Sequence, residues 1–451
     1  MTGEGAGQQA PAGLAGARVW LRVFGCRSNL CEAEFLAAEL EARGACVTQC
    51  PQELDSCQAA VVLTCSVTGT ADRKCRQTLR RARRALGRNG VLVACGCWAQ
   101  AVTAEEAQEL GVDLLVGNRR KVSLADALQS LLAHGRAFVE LRADLTRDRE
   151  WEKLSLPGAR PRLHTRAFLK VQEGCDHFCS YCVIPFLRGR STSCPLCDVL
   201  DEVKGILDAG CREVVLTGIH LGVYGRERGS SLVELIRALS ALPGLARLRL
   251  GSLEPFALTD ELLDALAESP VFCPHLHLPL QSGDDGVLER MRRGYKGEDF
   301  VRLCERARGR LGDELHISTD VLVAFPGEGE EAFENTLAVM HRAGLGRAHV
   351  FPYSPRPLTA AAGFGGRVPR VVASERVARA SALGEQLLSR YAACFVGRVL
   401  PVLAEECEKD SFKGYTPHFI QTVVLGGAEP GEILKTRVAS EERGELRACL
   451  V

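Results

Sequence analysis

Three cysteines in one short segment have a spacing typical of a metal site. The segment EGCDHFCSYCVIPFLRGR places Cys175, Cys179 and Cys182 in a C-x3-C-x2-C arrangement, in a loop that contains glycine. Three thiolates that converge in this way can hold a four-iron cluster and leave one iron without a protein ligand. An open iron is a position where a cofactor or substrate can react. The segment therefore predicts a reactive iron–sulfur cluster.

Two alternatives remain open for this segment. A structural zinc site needs four closed ligands, and His177, Cys194 and Cys197 lie near enough along the chain to complete one. A ferredoxin-type electron carrier would need four cysteines for each cluster, and it would not need a barrel around them. Either alternative would make the chain a non-catalytic iron–sulfur or zinc protein.

A second set of three cysteines lies nearer the amino terminus. Cys26, Cys65 and Cys97 each follow a predicted strand, in GCRSN, LTCSVT and GCWAQ. Because the carboxyl ends of parallel strands gather at one edge of a sheet, we expect these thiols to meet and to hold a second cluster with its own open iron. Other cysteines near the same strand ends are alternative ligands or inert: Cys31, Cys50 and Cys95.

Length and composition limit the class of protein. The chain has 451 residues, of which 46% are hydrophobic, enough for roughly two to four domains. No run of about 18 apolar residues and no secretory signal is present, so we expect a cytoplasmic protein without a membrane partner. In a reducing compartment, clusters among the 20 cysteines bind metal more often than they form disulfides.

The balance of charge is even overall but uneven along the chain. Lys plus Arg and Asp plus Glu both number 56, so net charge gives no reason to expect a nucleic-acid partner. The segment from Arg73 to Arg88, by contrast, is basic and contains no acid. It is either a phosphate-binding face or a solvated helix. Its basic residues are Arg73, Lys74, Arg76, Arg80, Arg81, Arg83, Arg84 and Arg88.

The amino-terminal third of the chain reads as one small domain between two irregular segments. Residues 1–17 are rich in Gly and Ala and predict a disordered tail. Over 18–135, short β-branched runs alternate with helical patterns, which predicts a parallel α/β domain. Residues 136–160 lose this alternation and contain Pro157 and Gly158, so we predict a linker there.

The remaining chain predicts two further domains. Residues 161–392 contain six strand-like runs separated by helix-like segments, which predicts an open (β/α)6 partial barrel with its chemistry at the carboxyl ends of the strands. The triplet of Cys175, Cys179 and Cys182 directly follows the first of these strands. Residues 393–451 carry short strands separated by Gly and Pro, which predicts a small OB-like β-barrel.

Several segments resemble a known family. The C-x3-C-x2-C spacing with Tyr181 before the last cysteine resembles the motif of radical S-adenosylmethionine enzymes. The segments GCRSNLCEAE, TCSVTGTADRKCRQ and GCWAQ resemble the cysteine motifs of the amino-terminal domain of methylthiotransferases. The terminal β-barrel is similar to the RNA-binding TRAM domain. The resemblance covers nearly the whole chain after the tail.

The resemblance implies cofactors and ligands. It implies two [4Fe-4S] clusters, an auxiliary one on Cys26, Cys65 and Cys97 and a radical-generating one on the C-x3-C-x2-C triplet. S-adenosylmethionine would bind the open iron of the triplet cluster, and two molecules would be used in each turnover. Further contacts to this cofactor would come from strand ends of the barrel, at Gly218, Ser252, Glu254, His277 and Gln281.

The resemblance also implies a reaction and partners. A C–H bond would become C–S–CH3, most like the tRNA enzymes that act on N6-threonylcarbamoyladenosine next to the anticodon, to which TGTADRKCRQ and HVFPYSPRP are most similar. Partners would be the tRNA anticodon loop, a flavodoxin- or ferredoxin-type electron donor and a sulfur donor. Alternatives are a different tRNA adenosine, a ribosomal-protein aspartate, and a non-catalytic iron–sulfur or zinc RNA-binding protein.

Two positions depart from the family pattern. Leu63 stands before Thr-Cys where the family usually has asparagine, which puts one supporting hydrogen bond in doubt but not the cluster. The segment RSTSCPLC adds Cys194 and Cys197, which we predict are not ligands. In the terminal barrel, Lys413, Tyr415 and His418 are either RNA contacts, through phosphate and stacking, or ordinary surface residues of a small barrel.

Overall fold

A computed structural model of the protein describes residues 13–146, 150–154 and 164–451. The described chain divides into two compact units. The first unit contains the residues up to Leu156 together with Phe186–Gly189, and the second contains the rest. Within the described ranges, no helix is both long enough and apolar enough to cross a bilayer.

The first unit is built on a parallel sheet, as predicted. Its strands are β1 (Arg18–Val23), β2 (Cys46–Thr48), β3 (Ala59–Thr64), β4 (Val91–Gly96), β5 (Leu114–Val116) and β6 (Val139–Leu141). They lie in the order β2-β1-β3-β4-β5-β6, and each neighbouring pair is parallel. The two central strands, β3 and β4, are buried at every position. Both of their faces are covered, which explains why their sequences are apolar almost throughout.

Helices connect these strands. They are α1 (Arg27–Ala42), α2 (Gly69–Leu86), α3 (Cys97–Ala101), α4 (Ala104–Glu109) and α5 (Leu124–His134). The side chain of Thr68 caps α2 by accepting a hydrogen bond from the backbone N–H of Ala71 at 3.1 Å, which satisfies one of the unpaired donors at a helix start. Helix α2 buries one stripe against the sheet: Cys75, Leu79, Ala82 and Leu86.

Two predicted boundaries of this unit differ from the structure. Strand β6 lies inside the segment predicted as a linker (136–160) and pairs with β5, so the sheet extends further than expected. At the other end, residues 1–12 of the predicted tail lie outside the described residues, but Leu14 and Ala17 are buried. The Gly/Ala composition hid this packing, because small residues carry little periodic signal.

The second unit begins with the open barrel. Its strands are β7 (Ala167–Lys170), β8 (Gln172–Glu173), β9 (Thr192–Ser193), β10 (Glu213–Thr217), β11 (Arg247–Leu250), β12 (His275–His277), β13 (His316–Val323) and β14 (Arg347–Pro352). Two three-stranded parallel sheets, β11-β10-β7 and β12-β13-β14, are joined by single bridges from Leu248 to Phe272 and from Ser252 to His277. This arrangement confirms the predicted (β/α)6 partial barrel.

Helices alternate with the barrel strands. They are α6 (Ile184–Arg188), α7 (Leu196–Asp208), α8 (Leu232–Ser240), α9 (Asp260–Glu268), α10 (Asp285–Met291), α11 (Gly297–Leu311), α12 (Glu330–Arg342) and α13 (Arg370–Ala393). Most carry an apolar stripe on one side; α8, for example, buries Leu235, Ile236 and Leu239. That stripe packs each helix against the strands, as the alternation of sequence patterns predicted.

The chain ends in a closed β-barrel, as predicted. Its strands are β15 (Val399–Cys407), β16 (Ser411–Tyr415), β17 (Gln421–Leu425), β18 (Ile433–Glu442) and β19 (Glu445–Leu450), in the order β15-β16-β17-β19-β18. Alternate side chains of these strands fill its interior. They include Val402, Ala404, Phe412, Val424 and Ala448.

Buried charges join this barrel to the partial barrel. The carboxylate of Glu213 pairs with Arg247 at 3.2 Å and with Arg249 at 3.1 Å. Burial alone would raise the pKa of Glu213, but the arginines outweigh it and lower that pKa. The same arginines donate to the backbone carbonyls of Tyr415 and Pro417, each at 3.0 Å. The β-barrel therefore lies at the amino-terminal ends of β10 and β11.

This joint bears on two of the candidate RNA contacts. His418 is only 6% exposed, and its backbone carbonyl lies 2.6 Å from Nδ1 of His316. The ring of Tyr415 stacks on that of Phe419, with 4.8 Å between centroids, beneath Arg166. His418 is buried, so RNA contact by its side chain is contradicted, whereas Tyr415 is half-buried and its RNA contact stays a prediction. Lys413 is exposed and stays a predicted RNA contact.

Candidate metal centres

The loop that follows β8 carries the first cysteine triplet. The backbone turns at Gly174, which has a φ of 72°, and the N–H of Cys182 donates to the carbonyl of Cys179 at 3.0 Å. The backbone N–H of His177 points at Sγ of Cys175, at 3.4 Å. The loop thus folds back on itself at the cysteines, and their joint binding of a cluster stays a prediction.

The electrostatics of the triplet show that its sulfurs lie near one another. Burial, together with the neighbouring Cys179 and Cys175 thiolates, raises the pKa of Cys182 to about 12. Burial likewise raises the pKa of Cys175 to about 11. Without a cation, then, the thiols of Cys175 and Cys182 hold their protons at neutral pH. Iron would displace them, because metal ligands must be deprotonated.

Arg293 lies beneath the triplet and was not identified from the sequence. Its guanidinium is buried and donates to Sγ of Cys179 at 3.5 Å, to the carbonyl of Pro279 at 3.2 Å and to the carboxylate of Glu254. Burial would raise the pKa of Cys179, but the side chain of His177 and the charge of Arg293 lower it. This role was not visible in the sequence, because Arg293 is one of two consecutive arginines directly after α10.

The residues predicted to contact S-adenosylmethionine lie at carboxyl ends of strands. Gly218 follows β10, where a Cβ atom would come within 2.8 Å of Cβ of Gln172, so the close backbone approach requires glycine. Ser252 follows β11 and bridges to His277, which ends β12. Gln281 holds a φ of 64°, a left-handed conformation that is strained for a residue with a side chain.

Two of these predicted residues are already held by other protein groups. Glu254 is bound to Arg293, and its negative charge acts on each cysteine of the triplet. His277 lies 2.9 Å from the hydroxyl of Ser318 and 3.2 Å from the carboxylate of Asp320. The structure therefore brings Glu254 to the triplet through Arg293, and it fixes His277 on the sheet formed by β12, β13 and β14.

The second set of cysteines gathers at one edge of the first sheet. Cys26 follows β1 and precedes α1, Cys65 follows β3, and Cys97 opens α3 directly after β4. Burial raises the pKa of Cys65 to about 12, with further contributions from Cys97 and Cys26, so the three sulfurs interact. A Cβ atom on Gly25 would lie 2.7 Å from Sγ of Cys65. Glycine at this position lets the loop of Cys26 approach Cys65.

The donor sets fit iron–sulfur clusters. Each centre offers three thiols, and a four-iron cluster binds each thiolate through a different iron. Within the described part of the chain, no three His, Cys, Asp or Glu side chains are close enough to hold a single metal ion. A cluster does not require such closeness, whereas four zinc ligands lie about 2.3 Å or less from one ion.

The alternative cysteines occupy different environments. Cys95 is buried within β4, and burial raises its pKa to about 12. Cys50 is exposed and hydrogen-bonds to Gln52, while Cys31 lies half-buried on α1. Near the triplet, Cys194 is buried and its backbone N–H pairs with Val171, and Cys197 is exposed.

Asn29 fixes the edge of the first sheet. Its amide donates to the backbone carbonyls of Phe24 at 2.6 Å and Thr64 at 3.0 Å, the residues that precede the Gly25–Cys26 loop and Cys65. Leu63, where the family usually has asparagine, is fully buried in β3. Asn29 therefore supplies hydrogen bonds that hold two cysteine-bearing strand ends together.

Replacing Asn29 by alanine should destabilise the first unit. Loss of the amide leaves two buried carbonyls without this donor, and we expect unfolding to become easier by about 1–3 kcal/mol. Urea denaturation of the metal-free chain would measure this change. The matched control is Asn89→Ala, in an exposed turn after α2, which should be within about 0.5 kcal/mol of the parent. Equal stability of both variants would refute this role.

Two family models match the chain. The Radical SAM superfamily model matches residues 169–340, which include the triplet and most of the partial barrel. A model described as uncharacterized protein family UPF0004 matches residues 18–117, which include the second set of cysteines. Among solved structures, the radical S-adenosylmethionine methyltransferase TsrM from Kitasatospora setae is similar in fold, with a TM-score of 0.55 and 16% identity over 77% of this chain and 74% of that one.

Curated relatives are similar over nearly the full length. Threonylcarbamoyladenosine tRNA methylthiotransferase MtaB of Bacillus subtilis is 35% identical, covering 94% of both chains. MtaB of Thermotoga maritima is 34% identical, covering 96% of both. A tRNA-2-methylthio-N6-dimethylallyladenosine synthase of Clavibacter michiganensis is 36% identical over 86% of this chain and 73% of that one. The chain therefore belongs to the radical S-adenosylmethionine methylthiotransferase family.

Proposed function

We propose that the protein is a tRNA methylthiotransferase that converts N6-threonylcarbamoyladenosine, next to the anticodon, to its 2-methylthio derivative. The observation that carries the proposal is the pair of three-cysteine centres, one in each unit, in a chain similar to MtaB over 94% of its length. When bound, [4Fe-4S] clusters and S-adenosylmethionine supply a carbon-centred radical and the transferred sulfur and methyl group.

The side chains of the second unit have distinct roles in this proposal. Cys175, Cys179 and Cys182 hold the radical-generating cluster. Arg293 holds Glu254 in place and contacts Cys179, so it orients the loop without touching the substrate. Phe256 lies against the ring of His177, with 4.9 Å between centroids, and covers one side of the cysteine loop. Gly218, Ser252, Glu254, His277 and Gln281 stay proposed contacts to S-adenosylmethionine.

The first unit presents the sulfur. Cys26, Cys65 and Cys97 hold the auxiliary cluster, and Asn29 keeps two of their strand ends together. A sulfur donor restores this centre, and an electron donor of flavodoxin or ferredoxin type reduces the other. The terminal barrel acts as a TRAM-like RNA-binding domain in the cytoplasm, and the exposed Lys413 is one of its RNA contacts.

The substituent on the adenosine is the finer part of the proposal. Sequence identity alone does not distinguish between the two kinds of tRNA-modifying relative. This chain is 35% identical to MtaB and 36% identical to a dimethylallyladenosine synthase. Coverage of the relatives' own length favours MtaB, because the match spans 94–96% of those enzymes and 73–88% of three such synthases. The segments TGTADRKCRQ and HVFPYSPRP favour the same substrate. The dimethylallyl derivative is the second candidate.

Nucleoside mass spectrometry of tRNA tests the substrate. We expect a deletion strain to lose 2-methylthio-N6-threonylcarbamoyladenosine and accumulate its precursor, and a plasmid copy of the gene to restore the product. Loss of the 2-methylthio dimethylallyl nucleoside instead would support the second candidate. Unchanged levels of both, in a strain without another such enzyme, would contradict a role in tRNA modification.

The basic segment supplies a surface for the tRNA backbone. Two of its arginines are structural, since Arg83 pairs with Asp113 at 3.0 Å and Arg76 pairs with Glu106. The others are exposed, and none forms an ion pair with a residue in the described ranges: Arg73, Lys74, Arg80, Arg81, Arg84 and Arg88. On α2, Arg73, Arg80 and Arg84 share one face of the helix, because they are seven and four residues apart.

Neutralising this face should weaken tRNA binding in a salt-dependent way. Affinity falls as the salt concentration rises. Each phosphate contact makes the plot of log affinity against log salt concentration steeper by about 0.7–0.9. Glutamine at Arg73, Arg80 and Arg84 should therefore reduce that slope by about 2, as measured by fluorescence anisotropy with an anticodon stem-loop. The control triple variant carries glutamine at Arg302, Arg306 and Arg310, which are exposed on α11 but paired with acids. Equal slopes for both variants would exclude α2 as the binding face.

A further inference from the structure

A network of fully buried charges lies in the first unit. The side chains of Glu32, Lys121 and Arg188 have no exposed surface. The carboxylate of Glu32 lies 3.2 Å from Nζ of Lys121 and 3.3 Å from Nη1 of Arg188. Removing charges from water costs several kcal/mol for each ion, on the order of magnitude found in proteins. Such a network calls for a reason beyond packing.

The network touches the proposed auxiliary centre at two sulfurs. Arg188 comes from the end of α6, and its Nη2 donates to Oδ1 of Asn29 at 2.8 Å and lies 3.9 Å from Sγ of Cys26. Asn118 donates from Nδ2 toward Sγ of Cys97 at 3.5 Å. Lys121 holds Asn118 by donating to its backbone carbonyl at 3.0 Å. The cation of Arg188 therefore points at Cys26, and the amide of Asn118 points at Cys97.

The charges differ in their distance from the sulfurs. The guanidinium of Arg188 contacts Cys26 through Nη2, and the carboxylate of Glu32 pairs with Nη1 of the same guanidinium and partly offsets its charge. Arg188, Lys121 and Glu32 all act on the buried thiol of Cys95 as well, together with Glu152. Glu152 is partly exposed and accepts the backbone N–H of Val122 at 3.0 Å. Arg188 is thus the cation placed to act on the centre.

We propose that Arg188, held by Glu32, is a positioning residue that stabilises the reduced state of the auxiliary cluster. The inference rests on the proposed function, because it requires a cluster on Cys26, Cys65 and Cys97. Adding an electron increases the negative charge shared by iron and thiolate, and a buried cation or hydrogen-bond donor beside the sulfur favours that state. Water screens such an interaction little in a buried site. Arg188 therefore raises the reduction potential of the centre, and Glu32 limits that rise.

Potentiometry of the isolated auxiliary cluster tests the inference. In a full-length chain with alanine at Cys175, Cys179 and Cys182, anaerobic reconstitution should leave about four irons. A redox titration followed by electron paramagnetic resonance then gives the midpoint potential. We expect Arg188→Met to lower it, Glu32→Gln to raise it, and Arg188→Lys to stay near the parent. The double variant Arg188→Met, Glu32→Gln should lie between the two single variants.

The two single variants, Arg188→Met and Glu32→Gln, should shift the midpoint potential in opposite directions. A merely structural role would not produce this result. Arg43→Met is the control, because Arg43 is also paired with acids but caps the far end of α1, about 25 Å from Cys26 at 1.5 Å per residue. A cluster whose potential does not move, or moves the same way in both single variants, overturns the inference alone. If the Arg188→Met variant does not bind iron, the Glu32→Gln variant decides alone. A higher midpoint potential in Glu32→Gln then supports the inference, and an unchanged or lower potential overturns it. A parent that holds no cluster removes both the inference and the proposed auxiliary centre.

Discussion

Alanine at Cys175, Cys179 or Cys182 is expected to reduce the release of 5′-deoxyadenosine from S-adenosylmethionine to background. Removing one of three thiolates leaves a second iron without a protein ligand and frees a cavity beside Arg293, whose guanidinium lies 3.5 Å from Cys179. Changes to residues around a metal ligand typically cost about 10–100-fold, so loss of a ligand itself should cost at least about 100-fold. Chromatography of an anaerobic reaction with S-adenosylmethionine and a reductant measures the product.

The control for this experiment is Cys197→Ala. Cys197 lies 15 positions after Cys182, is exposed on α7 and is predicted not to be a ligand. It should release 5′-deoxyadenosine at the parent's rate. If instead the three single variants released 5′-deoxyadenosine and Cys197→Ala did not, the cluster would have other ligands, and Cys197 would be one of them.

Alanine at Cys26, Cys65 or Cys97 should separate the two halves of the reaction. We expect these variants to release 5′-deoxyadenosine, because the triplet is intact, and to form no methylthio product, because the sulfur has no centre to present it. The loss of product should be at least about 100-fold, for the reason given for the triplet. Liquid chromatography with mass spectrometry measures both compounds in one reaction with tRNA.

Iron analysis supports the interpretation of these variants. The parent should bind about eight irons, and replacement of all three cysteines of either centre should leave about four. Cys50→Ala is the control in the first unit, because Cys50 is exposed and its thiol bonds only to the side chain of Gln52 among the described residues. Full methylthio activity in all three variants at Cys26, Cys65 and Cys97 would rule out an auxiliary cluster on these residues.

The cysteines of both centres were visible in the sequence for a physical reason. Short β-branched runs identify strands, and a residue directly after a strand must lie at the edge of the sheet. Cys26, Cys65 and Cys97 were therefore predicted to share an edge, although many residues separate them along the chain. The fold class follows from the same alternation of strand and helix patterns, and the structure confirms it.

The supporting residues were not visible, because their roles depend on contacts between distant segments. Arg293 and Arg188 are two among many arginines, and only packing shows that each is buried against a cysteine. His418 was placed among the candidate RNA contacts, although it is buried, for the same reason. The periodicity of a strand reports which side chains face inward in its own barrel, but not which loop packs against another part of the chain.

The most direct test combines the reconstituted protein, S-adenosylmethionine, a reductant and tRNA that carries N6-threonylcarbamoyladenosine. Mass spectrometry of the nucleosides should show conversion to the 2-methylthio derivative, together with 5′-deoxyadenosine and demethylated S-adenosylmethionine. Release of 5′-deoxyadenosine without any methylthio nucleoside, from a protein that holds both clusters and an active sulfur donor, would contradict the assignment of this tRNA as the substrate. A protein that binds zinc in place of iron and releases no 5′-deoxyadenosine would contradict the radical mechanism itself.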